Sequence, residues 1–485
     1  MSQSVSQTAV LVVGAGPTGL LLAAELQRRG VPCHLIEAQP APLHWDRATV
    51  VHPRSLQIFE SLGLAEQFLS AGCRQRLIKI HSGGKLLGTI DLAGCGSIYG
   101  FNVGLSEEVT ESILTGYLHQ HGGQVNRSSR LVGMTITPDN RVIADLERDG
   151  DRYQIEARWV VGCDGLHSAT RHLAGIGFEG HDMLKPWAVF AASVEPWAHT
   201  FEAIFVYLEA LPVILTALPG HRWRVYLLPG SEESDLVADA TSTLHAYEPS
   251  AHFVDIENPA RFRCHTKIAT KYRSGPIFLA GDAAHLCSPG EGHGMNCGLQ
   301  DAFNLAWKLA LVHQATAHET LLDSYEIERR PAAELVMKSG DEMEKTLNMV
   351  EILRELNRSL TGNLHGGFVT CLAMRIHADG AVALANAGHL APYHNGVEIP
   401  MSPSLPLGII VDAEYTETSL RLTPGDTFTF FSDGVVEAQS PTGELFGFER
   451  TGSISRKSAQ EIADVAQAFG QEDDITVLTL QFAPA

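Results

Sequence analysis

IFLAGDAAHLCSPGEGHGMNCGLQDAFNLAWKLA, residues 277–310, decides how the rest of the chain is read. Ile277 to Ala280 is an apolar run of the kind that forms a buried strand, and it stops at Gly281-Asp282. A glycine-rich loop follows, and then Leu299, Ala302, Phe303, Ala306 and Leu309 recur at helical spacing. The pattern predicts a helix starting near Asn296. A strand that feeds a Gly-rich loop and a helix can present an acidic side chain and a ring of backbone N–H groups to a ligand. Asp282 stands where a carboxylate accepts hydrogen bonds from sugar hydroxyls. Gly290, Gly292 and Gly294 carry no Cβ, so the backbone can lie against a flat ligand, and the helix aims its positive end at it.

Two further stretches have the same grammar. Residues 9–30 read AVLVVGAGPTGLLLAAELQRRG, a strand from Val10 to Val13, the spacing Gly14, Gly16, Gly19, and a Leu/Ala helix ending at Gly30. With a strand before and a helix after, this is the dinucleotide-binding fingerprint. A second strand over Cys33–Ile36 ends at Glu37, where an acid can bind a ribose hydroxyl, and a pyrophosphate can rest on Pro17 to Gly19. Further on, Trp159 to Gly162 leads into Asp164-Gly165, again a strand, a turn and a helix start. Residues 56–68 and 110–122 read as helices. Residues 77–100 alternate and are rich in glycine, and residues 187–194, 201–208, 213–218 and 223–228 are strand-like, so these pieces are expected to form one β-sheet.

The run GDAAH…P…GMN.GLQDAFNLAWKLA resembles the ribityl-binding motif of single-component FAD-dependent aromatic hydroxylases, the para-hydroxybenzoate hydroxylase-like family. The resemblance implies an α/β fold: a Rossmann-like FAD-binding domain over residues 1–76, 101–177 and 272–349, and a β-sheet substrate domain over 77–100 and 178–271 forming a lid on the ring system. It implies FAD bound by Gly14, Gly16, Gly19, Glu37, Arg47, Asp164, Gly281, Asp282, Gly292, Gly294, Met295 and Asn296. Arg47 would lie near the diphosphate, Asp282 on the ribityl chain, and the helix start against the pyrimidine edge of the isoalloxazine. It also implies NAD(P)H as co-substrate without a second nucleotide fold, and O2 passed through a flavin hydroperoxide to an electron-rich aromatic small molecule. No protein nucleophile is implied, so the catalytic residues are not assigned. Glu107 stands where the family usually has Gln, and Glu291 and His293 where it has Gly and Gln.

After about Met349 the character changes. Residues 350–485 hold 7 basic and 17 acidic residues, a balance of −10. Strands are expected over 368–376 and 381–386 around a turn at Ala378-Asp379-Gly380. The order Asn386-Ala387-Gly388-His389, Pro406-Leu407-Gly408, Ser432-Asp433-Gly434 and Asp473-Asp474 resembles the C-terminal half of bacterial metal-dependent Ser/Thr phosphatases of the sporulation-phosphatase (PPM) type. By that resemblance residues 350–485 are a partial α+β phosphatase-like domain, with Asp433 and Asp474 as metal ligands. The early acidic half is missing, so a divalent metal is not expected to be held, and strands left without partners could make the tail a homodimer or protein-binding surface. A redox-sensing regulator and an active phosphatase stay open as alternatives to the monooxygenase.

The 485 residues include 35 basic and 56 acidic ones, a net charge of −21. That balance argues against nucleic acid or an anionic membrane as partner. There is no apolar run long enough to span a bilayer, no signal-like N-terminus, and eight scattered cysteines without a C-x-x-C pair, so a cytoplasmic protein with reduced thiols is expected.

Overall fold

The computed structural model describes residues 5–42, 48–183, 186–209, 211–231, 233–287, 292–345, 349–362, 364, 367–376, 380–471 and 473–482. The chain divides into two compact units, Met1–Asp341 and Glu342–Ala485.

The first unit is built on a parallel sheet. Strand Ser6–Val13 lies between Cys33–Ile36 and Asp151–Gly162, and Ile277–Leu279 continues the sheet beyond the latter. All pair in parallel, as strands joined by helical crossovers do. Helix Pro17–Arg28 makes the first crossover; its Leu20 to Ala24 and Leu26 are fully buried, which is why the sequence there is apolar on every side. Helix His293–His313 packs beside it through Leu299, Ala302, Leu305, Ala306 and Leu309.

Strands between residues 77 and 91 and between 187 and 262 form one seven-stranded sheet, whereas Phe178–Asp182 pairs with His265–Ala269 in a separate sheet with His285–Leu286. The order of the seven-stranded sheet is His252–Phe262, Trp187–Glu195, Arg222–Leu227, Val213–Leu218, Ala203–Tyr207, Leu77–Ser82, Lys85–Asp91. One face buries Phe190, Phe205, Leu215, Trp223 and Val225 with Ala240 and Leu244 of helix Leu236–His245.

Three helix boundaries differ from the sequence expectation. The helix expected over 56–68 is two helices, Pro53–Ser61 and Ala65–Ala71, separated at Gly63, whose φ is 73°. The one expected from Thr110 starts at Glu107, because Ser106 caps it by accepting a hydrogen bond from Val109 N–H. The one expected near Asn296 starts at His293.

In the second unit, strands Cys371–Ile376, Ala381–Ala387 and Glu417–Arg421 form one antiparallel sheet. Val397–Glu398, Tyr393–His394, Thr427–Phe431 and Val477–Gln481 form another. Helix Met349–Leu360 buries Leu353 against Ala385 and Ala387. Cys371–Ile376 and Val477–Gln481 are terminal strands of their sheets. Of the expected turn at 378–380, Ala378 and Asp379 lie outside the described residues. Among the described residues no helix is long and apolar enough to cross a membrane.

Candidate functional site

The glycines of the first loop have different tasks. Gly14 has φ 100° and donates its N–H to Ile36 O at 2.9 Å; a Cβ there would run into the Cys163 carbonyl. A Cβ on Gly19 would run into the carbonyl oxygen of Gly14, so this glycine sets how closely helix and strand approach. Gly16 is open: the nearest atom to a Cβ built on it is Glu111 Oε1, 4.0 Å away. It is also the N-cap of helix Pro17–Arg28, which no side chain caps. The first-turn N–H groups are therefore left to a ligand, and an anion is what they attract.

Glu37 sits beside this loop. Its Oε2 accepts from Ala15 N–H and its Oε1 from Gln39 N–H, both at 2.8 Å. A carboxylate has lone pairs to spare after two such bonds, so it can still receive sugar hydroxyls. Burial, reinforced by Glu107 and partly offset by Arg127, raises the Glu111 carboxyl to about 7, with Glu37 and Glu108 adding to the rise.

At the second loop, Gly281–Ala283 is a single 3-10 turn that leaves Asp282 exposed. The turn is held from beneath by a residue the sequence did not single out. Asp301, fully buried, accepts from Gly281 N–H at 3.0 Å and His285 Nε2 at 2.7 Å on one oxygen, and from Arg329 Nε at 2.7 Å on the other. Burial alone would raise this carboxyl, but His285 and Arg329 outweigh it and hold it below the usual carboxylate range.

The helix behind that loop begins at His293 because Gly292, at φ 68°, is its left-handed N-cap; no side chain caps it. Gly294, Met295 and Asn296 thus form its first turn rather than the loop before it. The Asn296 side chain is fully used inside the protein. Its Oδ1 accepts from His52 N–H at 2.9 Å and Ser55 Oγ at 2.7 Å, and its Nδ2 donates to Val50 O and Gly292 O, both at 2.9 Å. Only its backbone remains for a ligand. Met295 packs partly buried on the core, and the nearest atom to a Cβ on Gly294 is Cys287 Sγ at 4.0 Å.

Asp164 is likewise committed. It accepts from Ser168 Oγ at 2.5 Å, Thr170 N–H at 2.9 Å and Thr170 Oγ1 at 3.1 Å, anchoring the short helix Ala169–Leu173. Arg47, Gly290 and Glu291 lie outside the described residues.

Two uncapped helix starts, one open glycine and two acids with spare acceptor capacity match the donor and acceptor set of a dinucleotide. The comparisons agree. A family model described as FAD binding domain matches residues 7–339. The pentachlorophenol 4-monooxygenase of Sphingobium chlorophenolicum is 33% identical over 374 residues, 74% of this chain and 67% of that protein. The chain belongs to the aromatic flavin monooxygenase family. Its cofactor is FAD. The rifampicin monooxygenase of Streptomyces venezuelae is 33% identical over 336 residues, covering 68% of this chain and 69% of the relative. The crystal structure of aklavinone-11 hydroxylase with FAD and aklavinone superposes with a TM-score of 0.60 at 27% identity, over 69% of this chain and 68% of that one.

A second family model, Stage II sporulation protein E, matches residues 333–483, so the flavoprotein carries a phosphatase-like domain at its C-terminal end. There Asp433, the first residue of the short helix Asp433–Val436, and Asp474, in the loop before strand Val477–Gln481, are both exposed. Ser432 Oγ donates to Asp474 O at 3.0 Å and accepts from Thr476 N–H at 2.9 Å, and a Cβ on Gly434 would run into Asp474 O. Asp473 is exposed beside them. Among the described residues no group of three or more His, Cys, Asp or Glu side chains is placed to hold a metal ion.

Proposed function

We propose that the protein uses NAD(P)H and O2 to hydroxylate an electron-rich aromatic small molecule of the phenolic or polyketide type. The observation that carries this reading is the pair of glycine-capped helix starts in one unit, at Gly16 and Gly292, neither closed by a side chain. Two other helices of the unit are closed by Ser106 and Asp235, and the two that also lack a side-chain cap start at His52 and Leu64 rather than at glycine.

When bound, FAD supplies the transfer of two electrons from NAD(P)H to O2, placing one oxygen atom on the aromatic ring while the other leaves as water. The protein's own contribution is positional and electrostatic. Gly16 and the first turn of helix Pro17–Arg28 take the diphosphate with Arg47, Glu37 takes a ribose hydroxyl, and Asp282 takes the ribityl chain. Gly14 and Gly19 shape that loop, and Asp164 with Gly281 fixes the turns that border it. The N–H groups of Gly294, Met295 and Asn296 face the ring, where the positive helix end stabilises negative charge that develops on reduction. The Asn296 hydrogen bonds keep that end in place, so no reorganisation is required when charge appears. Residues 77–100 and 178–271 act as the lid that keeps water from the ring.

NAD(P)H consumption by the FAD-loaded chain, followed against a panel of phenols and polycyclic polyketides, tests this. Consumption stimulated many-fold by at least one aromatic compound is expected. A rate that no aromatic compound alters would contradict it.

A further inference from the structure

Four carboxylates border the first glycine loop, and they are not equivalent. Glu37 accepts from the N–H groups of Ala15 and Gln39, and Glu107 accepts from Ala48 N–H at 3.2 Å. Donors of that kind favour the ionised form. Glu108 is exposed on the first turn of helix Glu107–Gln120. Glu111, one turn further along, is half-buried and has no hydrogen-bond partner among the described residues. Its Oε1 is instead the atom nearest the open side of Gly16, 4.0 Å from where a Cβ would stand.

The open side of Gly16 is where a diphosphate can approach the uncapped start of helix Pro17–Arg28. A diphosphate taking those N–H groups comes beside Glu111, and it carries two negative charges, of which Arg47 can offset one. An ionised Glu111 would repel it. A protonated Glu111 has an O–H to donate, and an ionised phosphate oxygen is a strong acceptor. The protonated form is accessible near neutrality, because burial and Glu107 outweigh Arg127, and Glu37 and Glu108 act in the same direction. These charges reach Glu111 from every side: Glu107 and Glu108 from its own helix, Glu37 from the end of strand Cys33–Ile36, and Arg127 from the turn before strand Ser129–Ile136. The facing helix start, Pro17-Thr18-Gly19, carries none.

We propose that Glu111 binds FAD as the neutral acid, donating its carboxyl proton to a diphosphate oxygen, so that an ionised Glu111 takes a proton from solvent when FAD binds. The inference rests on the placement of the diphosphate at Gly16 and adds to it a residue that makes cofactor affinity depend on pH. The sign follows from linkage. Bound diphosphate raises the carboxyl above its FAD-free value, so affinity is highest below that value and falls as pH rises through it.

The test titrates the full FAD-free chain with FAD by flavin fluorescence from about pH 6 to about pH 9, and by calorimetry in buffers of different ionisation enthalpy. Wild-type affinity is expected to fall by up to about tenfold per pH unit above about 7, with net proton uptake in the same range. Glu111→Gln, a neutral donor of the same length, binds with level affinity across the range, close to that of wild type at the acid end, and takes up no proton. Glu111→Leu is also level but on the order of tenfold weaker than Glu111→Gln, because it donates nothing. The melting temperatures of the FAD-free variants at neutral pH stay level with wild type or rise, since no partner is lost. Wild-type affinity that is level with pH, or binding without proton uptake, overturns the proposal. So does a pH dependence that survives in Glu111→Gln, or a Leu variant that binds as tightly as the Gln variant. The placement of the diphosphate fails separately, by a Gly16→Val chain that keeps wild-type affinity.

Discussion

The two units each contain a strand that runs into an Asp-Gly or Gly-Asp turn, and the two turns are supported very differently. Strand Ile277–Leu279 ends at Gly281-Asp282, and beneath that turn lies Asp301 with three donors and no solvent. Strand Thr427–Phe431 ends at Asp433-Gly434, and beside it Asp473 and Asp474 are exposed, joined to it through Ser432 and backbone. The first acid is presented by a closed network; around the second, the described residues form no group of three or more His, Cys, Asp or Glu side chains placed to hold a metal ion. A local motif shows where a side chain is offered, and the residues behind it decide what it can hold.

The largest effect expected from this contrast is at Asp301. Asp301→Ala leaves Arg329 and His285 buried without their counter-charge, which costs about 3–5 kcal/mol of stability in chemical denaturation. Because the folded carboxyl titrates below its unfolded value, its contribution is present above the unfolded carboxylate range and is lost as pH falls. Wild type is therefore expected to lose more stability on acidification than Asp301→Asn. Equal acid dependence would place the network's support elsewhere.

Asp282 comes next. It is exposed above that network, and its expected role is in binding FAD. Asp282→Ala is expected to weaken FAD binding by about 1–3 kcal/mol while leaving the melting temperature of the FAD-free protein unchanged. Full FAD retention after dialysis would remove the residue from the site.

A smaller effect is expected at Glu111, whose folded carboxyl is raised. A raised value means that its stability contribution is complete below the ordinary value of 4.5 and is lost as pH rises through about 7. Glu111→Gln should flatten the pH dependence of stability across that window. An unchanged profile would show that burial and the neighbouring Glu107 do not raise this carboxyl.

The smallest effect is expected in the second unit. Asp433→Asn should change neither FAD content nor aromatic-stimulated NAD(P)H consumption, and neither form should hydrolyse a phosphoester with Mn2+ or Mg2+. Hydrolysis by the full chain that disappears in Asp433→Asn would make the tail a working phosphatase.

Much of the first unit is legible locally. The order strand, Gly14-x-Gly16-x-x-Gly19, helix, strand, Glu37 specifies one βαβ unit, and Cys33–Ile36 is where the sequence places it. Asp301 is not legible in the same way. It is one polar residue inside an amphipathic helix, and its partners lie 16 and 28 positions away, so only packing reveals it. The misplaced helix starts have local signals. Ser106 followed by Glu107 and Glu108 is an N-cap with acids in the first turn, and Gly292 is a residue that accepts a left-handed cap.

The most direct test of the account is the fate of isotopically labelled O2 in the reaction of the purified, FAD-loaded chain with NAD(P)H and the aromatic compound that best stimulates it. The account predicts a hydroxylated product carrying one labelled oxygen atom, with the second recovered in water. NAD(P)H oxidation that yields only hydrogen peroxide, with every aromatic compound recovered unchanged, would contradict it.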